Sequence, residues 1–246
     1  MKSLYLTLLF AFPLVSSSTE TETKHVLFLG NSYTAGSAHF IKEVFKREIT
    51  GYELAFLNPG GVDLKRHLTS EQTLRLLTSR RWDFVVLQGQ SQKSGLGGKH
   101  TEEFHAAVDG LCKLARKQGA KPCLYMTWGR REGDRRNMEA YPDFLTMHQK
   151  ISRQYKQAAR ANDAGVAPVG QAFAHLHATE KAIFTSLYKK DGSHPASLGG
   201  YLAACVFFGE ITGKSPLSVS WNANLPPKTA ALLRQSAAKV LKTEAP

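Results

Sequence analysis

One stretch constrains this chain more than any other: His25-Val26-Leu27-Phe28-Leu29-Gly30-Asn31-Ser32-Tyr33-Thr34. It opens with a short apolar run, the pattern of a buried strand. Gly30-Asn31 breaks the run, and from Ala38 the apolar spacing turns helical through Phe40, Ile41, Val44 and Phe45. Ser32 is therefore expected on a sharp turn between a strand and a helix. Its hydroxyl would stand at the C-terminal edge of a sheet and its N–H at a helix N-terminus, where free amides and the helix dipole favour negative charge. That environment suits a nucleophile whose substrate oxygen becomes an anion.

A serine hydroxyl needs a base. The candidate lies far down the chain, at Asp191-Gly192-Ser193-His194-Pro195. Asp and His three residues apart, on a Gly-containing loop closed by Pro, can set a carboxylate against an imidazole. The carboxylate would fix the tautomer and stabilise the imidazolium, leaving the other ring nitrogen for Ser32. Read singly, Gly-Asn-Ser is an ordinary helix cap and Asp-x-x-His a turn with a capping Asp. Together they make Ser32, Asp191 and His194 a candidate triad, in the chain order Ser, Asp, His.

These residues carry a resemblance to the SGNH (GDSL-like) hydrolases. The family's first block matches Gly30-Asn31-Ser32, with Ser32 as nucleophile, and its last matches Asp191 to Pro195. Its second block is a Gly whose amide helps form the oxyanion hole with that of the nucleophile. The resemblance puts it in Asn58-Pro59-Gly60-Gly61, with Gly61 favoured. The third block, Gly-x-Asn-Asp, supplies an Asn side chain to the oxyanion. Here that place reads Leu87-Gln88-Gly89-Gln90-Ser91-Gln92, so Gln88 or Gln90 is the expected substitute, as in the Gln-Gly-Glu-Ser pattern of some sugar acetylesterases. The implied activity is ester hydrolysis without a cofactor. The favoured substrate is a small acyl group, such as acetyl, on a carbohydrate. A lipid or lysophospholipid esterase is one alternative, and an inactive carbohydrate-binding protein is another.

The body of the chain alternates strand and helix. Strands are expected at His25–Gly30, Glu53–Asn58, Trp82–Gln88, Lys121–Thr127 and Val166–Val169. Helices are expected at Ser37–Glu48, Ser70–Ser79, Glu102–Gln118, Tyr141–Ala161, Ser197–Thr212 and Lys228–Lys242. This pattern predicts an α/β fold, a three-layer αβα sandwich of flavodoxin-like type around a parallel sheet of about five strands. Ligands bind such sheets beyond the C-terminal strand edge, and Ser32, Gly60-Gly61, Gln88-Gly89-Gln90 and Thr127-Trp128-Gly129 each follow a strand. Asn31, Trp128 and Arg130 are candidate substrate contacts on that rim. Trp128 either walls a sugar ring or belongs to the core. The Gly-rich segment Ser91 to His100 is either a mobile lid or a plain surface loop. Gly129 to Asn137 holds four arginines that either clamp an anionic substrate or face solvent. His175-x-His177 has the spacing of a metal pair but no third ligand, so no metal is assigned.

Residues 1–18 read as a secretory leader: Lys2, an apolar run from Leu4 to Val15, then Ser16-Ser17-Ser18. The apolar run is too short to span a bilayer. One hydrolase domain, exported and without stable membrane insertion, is expected over 19–246. The chain is strongly basic, with 32 Lys and Arg against 20 Asp and Glu, a formal charge of +12. No helix-turn-helix, zinc finger or aromatic-basic platform accompanies it, so nucleic acid is not the expected partner; a small-molecule or polysaccharide ester is, and the positive charge would suit an anionic one. Of the three cysteines, Cys112 and Cys123 could pair in an oxidising compartment or stay as buried thiols.

Overall fold

The computed structural model describes residues 22–243; the expected leader lies outside them. In chain order the elements are β1 (Lys24–Leu29), α1 (Ser32–Glu48), β2 (Tyr52–Leu57), α2 (Leu64–Thr69), α3 (Glu71–Thr78), β3 (Phe84–Leu87), α4 (Ser91–Ser94), α5 (Gly98–Lys117), β4 (Lys121–Tyr125), α6 (Phe144–Ala161), β5 (Gly165–Ala167), α7 (Val169–Thr179), α8 (Lys181–Ser186), α9 (Ser197–Thr212) and α10 (Pro227–Thr243). The five strands form one parallel sheet in the order β2-β1-β3-β4-β5. The fold is the expected α/β sandwich.

The sheet divides the apolar core in two, and β1 shows why. Successive strand side chains point to opposite faces. Val26 and Phe28 join the cluster under α1, α7, α9 and α10. Leu27 and Leu29 join the cluster under α5 and α6. A strand buried on both faces reads as a continuous apolar run, which is how β1 appears in the sequence.

Helix α1 begins at Ser32, five residues before the expected start at Ser37. Gly36 falls before that expected start, yet it is helical. Gly36 is there for close approach: a Cβ on it would lie 2.8 Å from the Pro195 ring. The helix thus presses against the loop that carries His194. Helix α9 is apolar on all sides, with Tyr201 to Phe208 entirely buried. It packs between α1 and α10. Among the described residues no helix is both long and apolar enough to cross a membrane.

Cys112, Cys123 and Cys205 are buried and unpaired, so the conceivable Cys112–Cys123 disulfide is not formed. Burial pushes the Cys112 thiol up to about 11 and the Cys205 thiol up to about 12. His175 bonds Ser236 across to α10, at 3.1 Å, while His177 stacks on Phe144. The two histidines serve separate contacts.

Candidate active site

The turn from β1 into α1 is held from three sides. Asn31 caps the helix: its Oδ1 accepts from the Tyr33 N–H at 3.1 Å, and its Nδ2 donates to the Val62 carbonyl at 2.9 Å. Below the turn, buried Gln88 directs its Oε1 at the Asn31 N–H and the Thr34 hydroxyl, both at 2.9 Å. Gly30 is required here, because a Cβ would stand 2.8 Å from that same Oε1. On the third side, His67 Nε2 bonds the Gly30 carbonyl at 2.8 Å and its Nδ1 bonds Thr73 Oγ1 at 3.0 Å. A carbonyl can only accept, so Nε2 carries the proton and Nδ1 accepts. Burial holds the His67 pKa below its ordinary value and favours this neutral form. Partly exposed Ser32 sits on top of this turn.

The second part is the loop before α9. Ser32 Oγ lies 2.9 Å from His194 Nε2, and His194 Nδ1 lies 2.6 Å from Asp191 Oδ2. The other Asp191 oxygen accepts from the N–H groups of Ser193, at 2.9 Å, and His194, at 3.0 Å. Partial burial raises the Asp191 pKa, but the His194 ring and these two amides outweigh it and hold the carboxyl below its ordinary value. An ionised Asp191 fixes the Nδ1–H tautomer, which leaves Nε2 to accept the Ser32 proton. The loop is tight: Gly192 adopts φ +64° and its N–H donates to the Lys189 carbonyl at 3.0 Å. Left-handed backbone of this kind favours glycine.

Packing joins the two parts. The Tyr33, Trp128 and Phe173 rings stack in series, with centroids 4.9 and 4.2 Å apart. Trp128 Nε1 donates to the Ser193 carbonyl at 3.1 Å, and the Tyr33 and Ser193 hydroxyls are 2.6 Å apart. Tyr33, Ser193 and His67 were not singled out in the sequence. The only signal for the first two was adjacency to Ser32 and His194, and His67 carried none.

Ser32, Asp191 and His194 are brought together, but several other expectations are corrected. Trp128 is fully buried and supports the base loop, so it is no wall for a sugar ring. Asn31 is buried and spends its side chain on the cap and on Val62. Gln88 gives its amide nitrogen to the Gly89 carbonyl, and Gln90 caps α4, accepting from Gln92 and Lys93 N–H and donating to Gln92 Oε1. Neither glutamine is posed as an oxyanion donor. Arg130 pairs with the wholly buried Asp134 carboxylate at 2.8 Å, which makes it a structural arginine.

The expected lid begins with α4 and is tied down. Tyr141 donates to the Gln92 carbonyl at 2.8 Å, Gln92 donates to Asp134 at 2.6 Å, and Lys93 pairs with Asp63 at 2.5 Å. Two backbone N–H groups of the expected oxyanion hole remain unengaged among the described residues. Among the described residues the Ser32 N–H has no partner, and exposed Gly61, at φ +73°, has only open space where a Cβ would be. No group of three or more His, Cys, Asp or Glu among the described residues is placed to hold a metal ion.

No family model matches the sequence, and no curated protein sequence matches it. Solved structures do match. A DUF4886 family protein from Bacteroides uniformis aligns with a TM-score of 0.77 and 19% identity, covering 90% of this chain and 95% of its own. A protein described as a candidate SGNH hydrolase, from Slackia heliotrinireducens, aligns with a TM-score of 0.65 and 28% identity over 77% of this chain and all of its own. An acetyl xylan esterase aligns with a TM-score of 0.54 and 17% identity over 75% of this chain and 98% of its own. In fold the chain is similar to the SGNH, GDSL-like hydrolases.

Proposed function

We propose that this chain is a serine esterase that removes small acyl groups, O-acetyl above all, from carbohydrates after export. The observation that carries the reading is the continuous relay from Ser32 Oγ through His194 to Asp191, at 2.9 and 2.6 Å. In the mechanism, His194 Nε2 takes the Ser32 proton as Oγ attacks the ester carbonyl carbon. The oxyanion gathers on the N–H groups of Ser32 and Gly61. His194 then protonates the leaving alcohol, and water releases the acyl group through the same base.

The small-acyl reading is supported by the character of the rim. A long-chain lipid ester wants an exposed apolar groove beside the nucleophile. The large apolar side chains exposed among the described residues are Met138, Leu145 and Leu217, on three separate segments. The groups bonded to the turn and to the base loop are polar or buried.

Hydrolysis of p-nitrophenyl acetate and of longer-chain esters by the purified chain, beside Ser32→Ala, tests both levels. Acetate is expected to be the better substrate, and the variant to lose about 10³-fold or more. Equal rates for wild type and variant would refute the nucleophile. A preference for long acyl chains would refute the carbohydrate reading.

A further inference from the structure

An oxyanion hole built from two backbone amides gains from a side-chain donor, and Gln88 and Gln90 are otherwise engaged. Asn58 stands on the opposite flank of the nucleophile. Strands β1 and β2 run parallel with Leu29 beside Leu57, and the Gly30 N–H donates to the Leu57 carbonyl at 3.0 Å. The next step along this register sets Asn58 beside Gly30, two residues before Ser32.

Alternation along β1 and β2 indicates the side. Phe28 and Phe56 stack at 4.5 Å on the face that α1 covers, while Leu29 and Leu57 join the core on the other face. Asn58 is the first residue past β2; carried one residue beyond the strand, the alternation would return it to the α1 face, and Ser32 is the first residue of α1. Asn58 is partly exposed, and among the described residues its carboxamide bonds to nothing. Contrast Asn31, whose carboxamide is used at both ends. The Asn31–Val62 bond also ties the loop after Asn58 to the nucleophile turn.

We propose that the Asn58 carboxamide is the side-chain donor of the oxyanion hole. The assignment rests on the esterase reading above. As Ser32 Oγ bonds to the carbonyl carbon, its proton passes to His194 and the carbonyl π pair moves onto oxygen. That oxygen accepts from Asn58 Nδ2–H and from the N–H groups of Ser32 and Gly61. Collapse re-forms the carbonyl, breaks the bond to the alcohol oxygen and returns the proton from His194 to that alcohol.

The test is steady-state hydrolysis of p-nitrophenyl acetate, with inhibition by a short alkylboronic acid, whose adduct with serine is tetrahedral and anionic. Wild type is compared with Ser32→Ala, Asn58→Ala, Asn58→Asp and Gln90→Ala. Asn58→Ala should lower kcat by roughly 10²-fold with KM little changed, and boronate affinity should fall in parallel. Asn58→Asp, nearly isosteric but acceptor-only, should be at least as impaired while keeping the wild-type Tm. Gln90→Ala should stay within about threefold of wild type in kcat, well short of the loss expected for an oxyanion donor. A Ser32-dependent rate that survives Asn58→Ala, or a loss confined to KM, overturns this assignment alone. Equal rates for wild type and Ser32→Ala overturn the esterase reading and this assignment with it.

Discussion

The Tyr33 hydroxyl lies 2.6 Å from the Ser193 hydroxyl, so the residue after the nucleophile is bonded to the residue before the base. The two are 160 positions apart in sequence. This buried contact sets the separation of Ser32 and His194 from beneath. Tyr33→Phe keeps the stack on Trp128 and leaves the Ser193 hydroxyl without its partner. Such a loss costs about 1–3 kcal/mol, or a Tm drop of roughly 2–8 °C for a chain of this size. kcat should fall several-fold with KM steady. Adding Ser193→Ala removes the stranded hydroxyl and should recover part of the Tm, which thermal melts of the four proteins of the cycle would measure.

Asp191→Asn keeps the size of the side chain but not the charge that holds His194. The amide can turn its NH₂ toward Nδ1 and favour the wrong tautomer. A loss of about 10³–10⁴ in kcat is expected, by analogy with triads in general. Activity within tenfold of wild type would show that Asp191 does not orient the base.

The adjacent arginines should respond in opposite ways. Arg130→Gln strands the buried Asp134 carboxylate, which also accepts from Gln92, Asn137 and the Arg136 N–H. A stability loss of about 2–4 kcal/mol is expected, below the fullest cost of breaking a buried pair because those donors remain. Arg131 packs beside Gly192, and its N–H donates to the Gly192 carbonyl at 2.8 Å. Arg131→Gln should leave Tm nearly unchanged and raise KM for an anionic ester but not for a neutral one. The difference should shrink above about 0.15 M salt. Denaturation curves and KM at two ionic strengths separate the cases.

Glu210, near the C-terminal end of α9, lies at the edge where the strands start, opposite the edge that carries the triad, and faces the start of β5 at Gly165. Burial pushes its carboxyl from an ordinary 4.5 up to about 7. Below pH 4.5 it is neutral whether the chain is folded or unfolded. Between those two values the unfolded chain releases the proton and the folded chain keeps it, so stability falls as pH rises. Above about pH 7 the penalty is complete, at most about 3 kcal/mol. Glu210→Gln should therefore be more stable than wild type at pH 8 and close to it at pH 4, by Tm across that range. Esterase activity should be unaffected.

The strands were legible because a parallel strand covered on both faces must be apolar throughout, and β1, β3 and β4 are short runs of that kind. Ser32 and the Asp191–His194 pair were legible because their chemistry fixes residue type and spacing locally. Helix α7 was not, since Val166 to Val169 reads as one apolar run although the backbone turns helical directly after Pro168. Nor was α2, a capped helix of six residues whose His67 reaches back to the Gly30 carbonyl. The roles of Gln88, Gln90 and Trp128 were misread for one physical reason. Sequence places a residue on the rim, but whether its side chain points out or down depends on partners from several other segments. Gln88 points at Asn31 and Thr34, and Trp128 lies between Tyr33 and Phe173.

The burial of α9 also bears on synthesis. His194 stands just ahead of a helix with no polar face, and that helix is covered on one side by α1 and on another by α10, which ends the described chain. The nucleophile's strand and helix leave the ribosome well before α9 and α10. The base cannot be seated until α9 is enclosed, and α9 cannot be enclosed until α10 has emerged. A nascent chain therefore carries Ser32 without a partner to activate it until α10 has emerged, and hydrolytic competence waits on the enclosure of α9.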